Sequence, residues 1–144
     1  MMERTLIIIK PDAIVRGHAG EILTRFEHAG FKILAMRMLT LTKRQARKFY
    51  AEHDGKPFFE KLTLMMSSSP IIAAVLAGDN AIAHARELMG ATDPAEAAEG
   101  TIRKDYALDG TQNSVHGSDC LESAAREIPF FFPALDICQV CDQY

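Results

Sequence analysis

The amino-acid sequence predicts an α+β fold, in which a four-stranded antiparallel sheet of the βαββαβ kind carries helices on one face. Two observations lead to this prediction. Short apolar segments of strand length alternate with amphipathic helical segments. No GxGxxG sequence follows the first strand, which leaves a parallel, doubly wound sheet as the weaker alternative. The chain shows no repeat, low-complexity segment or linker, so residues 1–144 are expected to form one domain.

The first third of the chain is predicted to form strand, helix and strand. Residues 5–9 are an unbroken apolar run that suits a buried strand, and a lysine–proline–aspartate turn signal at residues 10–12 ends it. Apolar side chains recur on one helical face of residues 21–29, and Gly30 is placed to end that helix. Residues 31–41 are strand-like again, with two basic side chains in a methionine-rich apolar run.

The middle third is predicted to contain two helices and the third strand. Thr42 and Gln45 have the spacing of a capping box, so a helix is expected from there to about Glu52. A proline-containing turn leads into a shorter helix that ends near residue 66. A second proline introduces the third strand at residues 71–76.

The last third is predicted to supply the fourth strand between two helices. One helix is expected between Asp79 and Gly90, and residues 91–112 then read as a long irregular loop, a kind that is usually functional. The fourth strand is short and contains Val115 and His116, and an amphipathic helix follows it. This succession of elements fits a ferredoxin-like sandwich best.

Charge and composition limit the classes of function. The net charge is −3 and the pI is about 5.9, so no overall positive field would attract nucleic acid or an anionic membrane. Any anion site must therefore be local. No apolar run approaches the roughly 20 residues that span a bilayer, and the first apolar segment is too short for a signal peptide. The sequence predicts a cytoplasmic protein with no membrane and no specific nucleic acid as partner.

Three cysteines make an odd and sparse set that cannot form a disulfide framework. Cys138 and Cys141 have CxxC spacing, which raises zinc binding or redox chemistry as alternatives. A zinc site needs four ligands, and no second CxxC or histidine pair accompanies this one. A thioredoxin-like motif opens a helix after a strand, whereas this pair is close to the last residue. Two incidental thiols are the favoured interpretation.

Residues 113–119, with the sequence NSVHGSD, are the most informative segment for function. His116 can accept and release a group near neutral pH. Gly117 leaves room for a bulky group to approach, and Ser118 or Asp119 can cap the next helix, whose N-terminus favours negative charge. These residues suggest a phosphoryl carrier. Taken alone, however, His116 is more often a half-buried histidine with a backbone partner, and no Walker A or protein-kinase motif supplies a phosphate site.

Several motifs occur together in the order typical of one family. They are KPD at residues 10–12, KPFF at 56–59, LMGATDPA at 88–95, GTIR at 100–103, NxxHGSD at 113–119 and ESAAREI at 122–128. By these motifs, which together with shorter matches cover residues 3 to about 132, the sequence resembles the nucleoside diphosphate kinases.

The resemblance implies an enzyme that transfers phosphoryl groups by a ping-pong mechanism. The γ-phosphoryl of a nucleoside triphosphate, typically ATP, moves to His116 as a pros-phosphohistidine, and a nucleoside diphosphate then collects it. Mg²⁺ is the implied cofactor, carried mainly by phosphate oxygens and not by a set of protein ligands. The implied nucleotide-binding residues are Lys10, Arg86 and Arg103 for the phosphates, Thr92 for the β-phosphate, Asn113 and Lys10 for the ribose, and Phe58 and Leu62 for the base.

Three further residues are implied to act with His116 and Lys10 in catalysis. Glu127 corresponds to a carboxylate that accepts from Nδ1 of the histidine, although the sequence itself leaves the reacting nitrogen open. Tyr50 is expected to hydrogen-bond near His116 and the transferring group. Ser118 is expected to bond Glu127 and to cap the last helix. Without the resemblance, Glu127 reads as a solvated helix residue and Tyr50 as a half-buried core residue.

The implied base site is tolerant. Stacking on Phe58 has little preference among bases, and no residue is placed to read a base edge, so purines and pyrimidines are both expected to bind. Family members usually carry an aliphatic residue three positions before the asparagine, where this chain has Gly110 or an altered loop around Leu108. A looser base clamp and a higher KM are therefore expected. The resemblance also implies a homo-oligomer, with a tetramer favoured over a dimer or hexamer.

Three classes of function follow from these observations. The favoured one is an active nucleoside diphosphate kinase, because the positions that the activity needs are present. The second is a binding or regulatory protein of the same descent that has lost turnover. The third is an unrelated ferredoxin-like interaction module, which would make the joint occurrence of the motifs a coincidence.

Overall fold

The computed structural model describes residues 2–141 and contains a four-stranded sheet in the order β2-β3-β1-β4. The strands are β1 (Met2–Ile9), β2 (Lys32–Leu39), β3 (Ile71–Asp79) and β4 (Val115–Gly117). Every pair of neighbouring strands is antiparallel. This arrangement confirms the predicted α+β sheet of the ferredoxin-like kind and excludes the parallel alternative.

Seven α-helices accompany the sheet within the described residues. They are α1 (Pro11–Val15), α2 (Ala19–His28), α3 (Lys43–Phe49), α4 (Phe59–Met66), α5 (Ala81–Met89), α6 (Ile102–Tyr106) and α7 (Leu121–Phe131), with short 3₁₀ turns at Ala51–His53 and Ala134–Asp136. The sequence did not predict α1 or α6, because five residues are too few to show helical periodicity. The predicted loop at residues 91–112 therefore contains a helix, whose first turn is capped by Thr101 through a 3.3 Å bond from the Lys104 amide.

Helices cover both faces of the sheet, although the sequence predicted them on one face. Ile7 and Ile9 of β1 pack with α2 and α5, whereas Leu6 and Ile8 point the other way and pack with α3, α4 and α7. The two crossover helices, α2 and α5, thus lie together as expected. A second layer on the other face consists of α3, α4 and α7. The unbroken apolar sequence of β1 is consistent with burial on both faces.

Two glycines bring α5 against its neighbours. A Cβ on Gly117 would lie 2.6 Å from Sδ of Met89, so α5 packs directly on β4 at this point. The room that we expected beside Gly117 is therefore filled by Met89. Gly90 ends α5 with a φ of 87°, and a Cβ there would lie 2.5 Å from Oγ1 of Thr101. These contacts place α5 and α6 side by side next to β4.

Helix α7 begins after Cys120, so the prediction that Ser118 or Asp119 caps it is wrong. The Cys120 thiol accepts from the Ser123 amide at 3.4 Å, and the Ser123 hydroxyl accepts from the Cys120 amide at 3.0 Å. Ser118 is not available as a cap because its hydroxyl accepts from the Leu6 amide at 3.3 Å and donates to Glu127 at 3.1 Å.

The cysteines and the helices provide no further site within the described residues. Cys120, Cys138 and Cys141 are exposed, unbridged thiols. Between residues 2 and 141, no group of three or more histidine, cysteine or acidic side chains could hold a metal ion. Over the same range, no helix is both long and apolar enough to cross a membrane.

Candidate active site

A cleft of about 530 Å³ opens at the end of β1 and β4, between α5 on one side and the α3–α4 connection on the other. This volume is typical of small-molecule sites. The predicted site residues that line it are Lys10, Tyr50, Phe58, Leu62, Arg86, Thr92, Arg103, Asn113, His116 and Glu127. Ser118, the remaining predicted residue, is buried next to Glu127. The structure therefore brings all the sequence-predicted site residues together.

His116 is held by a carboxylate on one side and by aromatic rings on the other. Its Nε2 lies 2.6 Å from Oε1 of Glu127, which also accepts from the Ser118 hydroxyl at 3.1 Å. Phe49 and Tyr50 pack edge-to-face on the imidazole, with ring centroids 5.3 and 5.8 Å away. A neutral imidazole whose Nε2 donates to the carboxylate keeps the lone pair on Nδ1.

This geometry corrects the expected contact between Glu127 and Nδ1 of His116. The rings that pack on the imidazole fix its orientation, and α7 then brings Glu127 to the Nε2 side. Glu127 is itself 3% exposed, so the carboxylate is anchored in the protein and not solvated. The expected bond between Ser118 and Glu127 is present.

Lys10 and Asn113 form the floor of the cleft. The Lys10 ammonium donates to Oδ1 of Asn113 at 2.7 Å and to the Thr111 carbonyl at 2.8 Å. The Asn113 amide donates in turn to the carbonyls of Thr92 and Gly110, at 3.2 and 3.1 Å. Burial, reinforced by the Arg103 charge, lowers the pKa of Lys10 to about 7.

Two guanidinium groups flank the β4 strand. Arg103 donates to the carbonyls of Val115, Gly90 and Asn113 at 2.8, 3.0 and 3.3 Å, and Arg86 donates to the Gly117 carbonyl at 3.3 Å. Burial, followed by the charge of Arg86, lowers the pKa of Arg103 to about 10. Both the burial and the repulsion between the cations favour an anion at this position.

Tyr50 lies beside His116 as a buried side chain. Burial and the charge of Glu127 raise the pKa of its hydroxyl, so the group stays protonated and able to donate. Among the described residues its contact with His116 is the edge-to-face packing of the rings and not a hydrogen bond.

The opposite end of the cleft is apolar and open. Phe58 is 43% exposed, and Leu62 lies below it in the core. Across the cleft, no atom lies within 4 Å of the position that a Cβ on Gly110 would take. A flat ring could therefore stack on Phe58 with little to contact on its other face.

Sequence reasoning missed two side chains of the α3–α4 connection that also line the cleft, Glu52 and His53. His53 packs edge-on against Phe58, with ring centroids 5.3 Å apart, and its Nδ1 lies 3.2 Å from Nζ of Lys56. Glu52 pairs with Arg126 of α7 at 3.2 Å. Their position in the sequence between Tyr50 and Phe58, two predicted site residues, is the signal that could have identified them.

Comparisons with known proteins give one consistent result. The family model described as Nucleoside diphosphate kinase matches residues 3–137. Two curated relatives named nucleoside diphosphate kinase, from the DP4 and Hildenborough strains of Nitratidesulfovibrio vulgaris, are each 57% identical over 137 residues. Those alignments cover 95% of this chain and 99% of each relative.

Two solved structures have the same fold. The nucleoside diphosphate kinase of Aquifex aeolicus superposes with a TM-score of 0.93 at 46% identity, covering 95% of this chain and 99% of that one. A halophilic nucleoside diphosphate kinase from Halobacterium salinarum, in complex with CDP, superposes with a TM-score of 0.95 at 39% identity, covering 99% of this chain and 95% of that one. The similarity thus spans the sheet and every element of the cleft.

Proposed function

This chain belongs to the nucleoside diphosphate kinase family and is a phosphotransferase with that activity, and we propose that it works through a phosphohistidine on His116. In the first half-reaction a γ-phosphoryl group moves from a nucleoside triphosphate to the imidazole, and the diphosphate leaves. In the second, another nucleoside diphosphate takes the group, so one site serves both donor and acceptor. The observation that carries this proposal is the 2.6 Å bond from Nε2 to Glu127.

The bond to Glu127 determines which nitrogen of His116 reacts. The lone pair on Nδ1 forms the new N–P bond, while the bond between the γ-phosphorus and the β,γ-bridging oxygen breaks and its electrons leave with the diphosphate. The proton on Nε2 stays in place, where Glu127 balances the positive charge that develops on the ring. Ser118 holds the carboxylate in position. The product is a pros-phosphohistidine.

The cations of the cleft are assigned to the phosphates. Arg86 of α5 and Arg103 of α6 line the cleft beside His116, and Lys10 lies on its floor. Phosphoryl transfer passes through a loose transition state with its charge on the equatorial oxygens, so fixed cations supply much of the catalysis. Thr92 and the protonated Tyr50 hydroxyl can add hydrogen bonds to phosphate oxygens.

Mg²⁺ is the proposed cofactor. When bound, it neutralises phosphate charge and orients the polyphosphate. It prefers oxygen ligands and usually keeps to substrate phosphates and one or two carboxylates. The cleft fits this mode, because Glu127 is committed to His116 and Ser118 while Asp119 and Glu52 also line the site. The protein residues would therefore bind the phosphates, and the phosphates would supply most of the ligands of the metal.

The nucleoside is assigned to the open end of the cleft. Phe58 stacks on the base and Leu62 packs beside it, while Asn113 and Lys10 bind the ribose hydroxyls. Stacking on Phe58 has little preference among bases, so both purine and pyrimidine nucleotides are proposed substrates. The relative from Halobacterium salinarum, a structure in complex with CDP, supports a nucleotide as the ligand of this chain.

The remaining proposals concern the whole molecule. We assign residues 1–144 to a single nucleoside diphosphate kinase domain and place it in a homo-oligomer, with a tetramer favoured. A cytoplasmic location is supported by three unbridged thiols, which a reducing compartment preserves.

The experiment that tests the mechanism is phosphorylation with labelled ATP and Mg²⁺. We expect an adduct that is labile in acid, stable in base and discharged by added GDP. His116→Ala should abolish it. His28→Ala is the matched control, because His28 is exposed on α2 outside the cleft and should leave the adduct unchanged. An adduct that persists in His116→Ala, or that GDP does not discharge, would overturn the proposal.

A further inference from the structure

Asp12 lies next to the cleft and is hydrogen-bonded to the segment that leads to His116. Its Oδ2 accepts from the Ser114 amide at 3.0 Å and lies 3.4 Å from the Ser114 hydroxyl. Asp12 is 8% exposed and Ser114 is fully buried, so water does not replace these contacts. Asp12 does not line the cleft itself.

The residue that Asp12 holds has an unusual backbone conformation. Ser114 has a φ of 72°, in the left-handed region that side-chain-bearing residues seldom adopt. Such strain persists where surrounding contacts impose it. The amide of Ser114 is also a buried donor, and leaving it unpaired would add a further penalty. The Asp12 carboxylate pairs the Ser114 amide and, by the same hydrogen bond, holds the strained φ angle of Ser114.

The turn at Ser114 separates the two parts of the active site. The residue before it, Asn113, binds the Lys10 ammonium at 2.7 Å. The Ser114 carbonyl accepts from the Lys10 amide at 2.9 Å, and β4 then starts and pairs His116 with Ile8. A change of the φ angle at Ser114 would therefore move Asn113 relative to His116.

Asp12 also interacts electrostatically with Lys10. Two acids, Asp12 from α1 and Asp109 from the loop before β4, favour the charged form of Lys10, while burial and Arg103 from α6 oppose it. Burial raises the pKa of Asp12 itself, and the charge of Lys10 counteracts that rise. The two side chains are thus coupled through space, in addition to their separate hydrogen bonds to the adjacent residues Asn113 and Ser114.

We propose that Asp12 is a positioning residue for phosphoryl transfer, which holds the left-handed turn at Ser114 in register with Lys10 and keeps Lys10 charged. The inference rests on the proposed function of His116 and Lys10. It assigns Asp12 two separable effects, one through its acceptor oxygen and one through its charge.

The test compares Asp12→Asn with Asp12→Ala in kcat/KM across the pH range from about 6 to about 9. Asp12→Asn keeps an oxygen that can accept from the Ser114 amide, so its maximal kcat/KM should stay within about threefold of the unmodified protein. Its alkaline limb should move to lower pH, because Lys10 loses an opposing charge. Asp12→Ala should lose about tenfold or more in maximal kcat/KM, because the buried Ser114 amide is left unpaired.

A second variant makes the backbone effect specific. Adding Ser114→Gly to Asp12→Ala should recover a measurable part of the lost kcat/KM, because glycine adopts a positive φ without strain. Asp136→Asn, which removes a carboxylate outside the cleft, should change neither the maximal kcat/KM nor the alkaline limb of the pH profile. An unmoved alkaline limb in Asp12→Asn, or no recovery on adding Ser114→Gly, would overturn the inference.

The outcome remains separate from that of the proposed function. The unmodified protein forms the His116 adduct or does not, whatever its Asp12 variants do. If it forms the adduct and both Asp12 variants match it in rate and pH profile, Asp12 has no positioning role while the phosphohistidine mechanism stands.

Discussion

The two ends of the cleft are built differently. At the phosphate end, Lys10, Arg103 and Asn113 are each less than a tenth exposed, and their polar atoms are bonded to one another or to backbone carbonyls. At the base end, Phe58 is 43% exposed and Gly110 presents no side chain. With the phosphates and the base assigned to these two ends as proposed, the contrast predicts fixed contacts for the reacting phosphates and a loosely bounded stacking surface for the base.

This division suits an enzyme that exchanges one phosphoryl group between many nucleotides. Charge develops at the same position whatever the base, so donors fixed in advance are effective there. A stacking surface accepts every base because each has a π-face. Variants at the two ends should therefore affect different kinetic constants, and the following four predictions are ordered by the expected size of the effect.

The largest effect is expected from Arg103→Lys. The guanidinium makes three hydrogen bonds to backbone carbonyls that a lysine cannot reproduce. We expect kcat/KM to fall by about 100- to 1,000-fold, comparable with the loss of one transition-state donor. Steady-state assays with ATP and a second diphosphate measure it. Arg44→Lys, on the exposed part of α3, is the matched control, and an equal loss in both variants would refute the assignment.

The next effect is a pH dependence set by Lys10. Its pKa of about 7 means that the group loses its charge as pH rises above that value in the substrate-free enzyme. Because kcat/KM reports the free enzyme, it should fall by about tenfold for each pH unit above the pKa. Bound phosphates bring the opposite charge and raise the pKa again, so nucleotide binding should take up a proton.

Calorimetry in buffers of different ionisation enthalpy measures that proton uptake. Lys10→Arg provides the control, because an arginine stays charged over this range and should abolish both the uptake and the alkaline limb. A binding enthalpy that does not depend on the buffer in the unmodified protein would argue against the depressed pKa of Lys10.

A smaller effect, confined to binding, is expected at the base end. Phe58→Ala should raise KM through the loss of about 1–3 kcal/mol of stacking, which corresponds to about 5- to 150-fold. The change should be similar for purine and pyrimidine nucleotides, and kcat should hardly change. Phe58→Tyr retains a flat ring and should bind as the unmodified protein does. A large fall in kcat for Phe58→Ala would contradict the separation of the two ends.

The smallest effect, and the only gain, is expected from Gly110→Val. The position of the missing side chain faces open space, so a valine has room to contact the second face of the base. Burying its methyl groups should lower KM by about three- to tenfold. Gly110→Ala should give part of the gain. An increase in KM would show that the loop carrying Gly110 does not close over the base.

Most of the fold, and most of the residues that line the cleft, could be predicted from the sequence. Strands with apolar runs and helices with an apolar face can be recognised from the local sequence pattern. The motifs around Lys10 and His116 indicate phosphate chemistry. The helices α1 and α6 gave no such signal, because each has five residues. The second helical layer was missed although the apolar sequence of β1 indicated burial on both faces.

The details that the sequence could not supply are contacts between distant segments. Met89 fills the space beside Gly117 because α5 packs on β4. Glu127 reaches Nε2 and not Nδ1 of His116 because α7 approaches a ring already oriented by two aromatic neighbours. Neither relation follows from spacing along the chain. His53 was missed for the same reason, since its place beside Phe58 depends on how the α3–α4 connection folds.

The most direct test of the account is to identify the phosphorylated nitrogen of His116. The protein, labelled with ¹⁵N at histidine, is phosphorylated with ATP and Mg²⁺, freed of nucleotide and examined by ¹⁵N and ³¹P NMR. Because Nε2 is engaged by Glu127, the account predicts phosphorus on Nδ1 and a proton retained on Nε2. Phosphorus on Nε2, or on any residue other than His116, would contradict it.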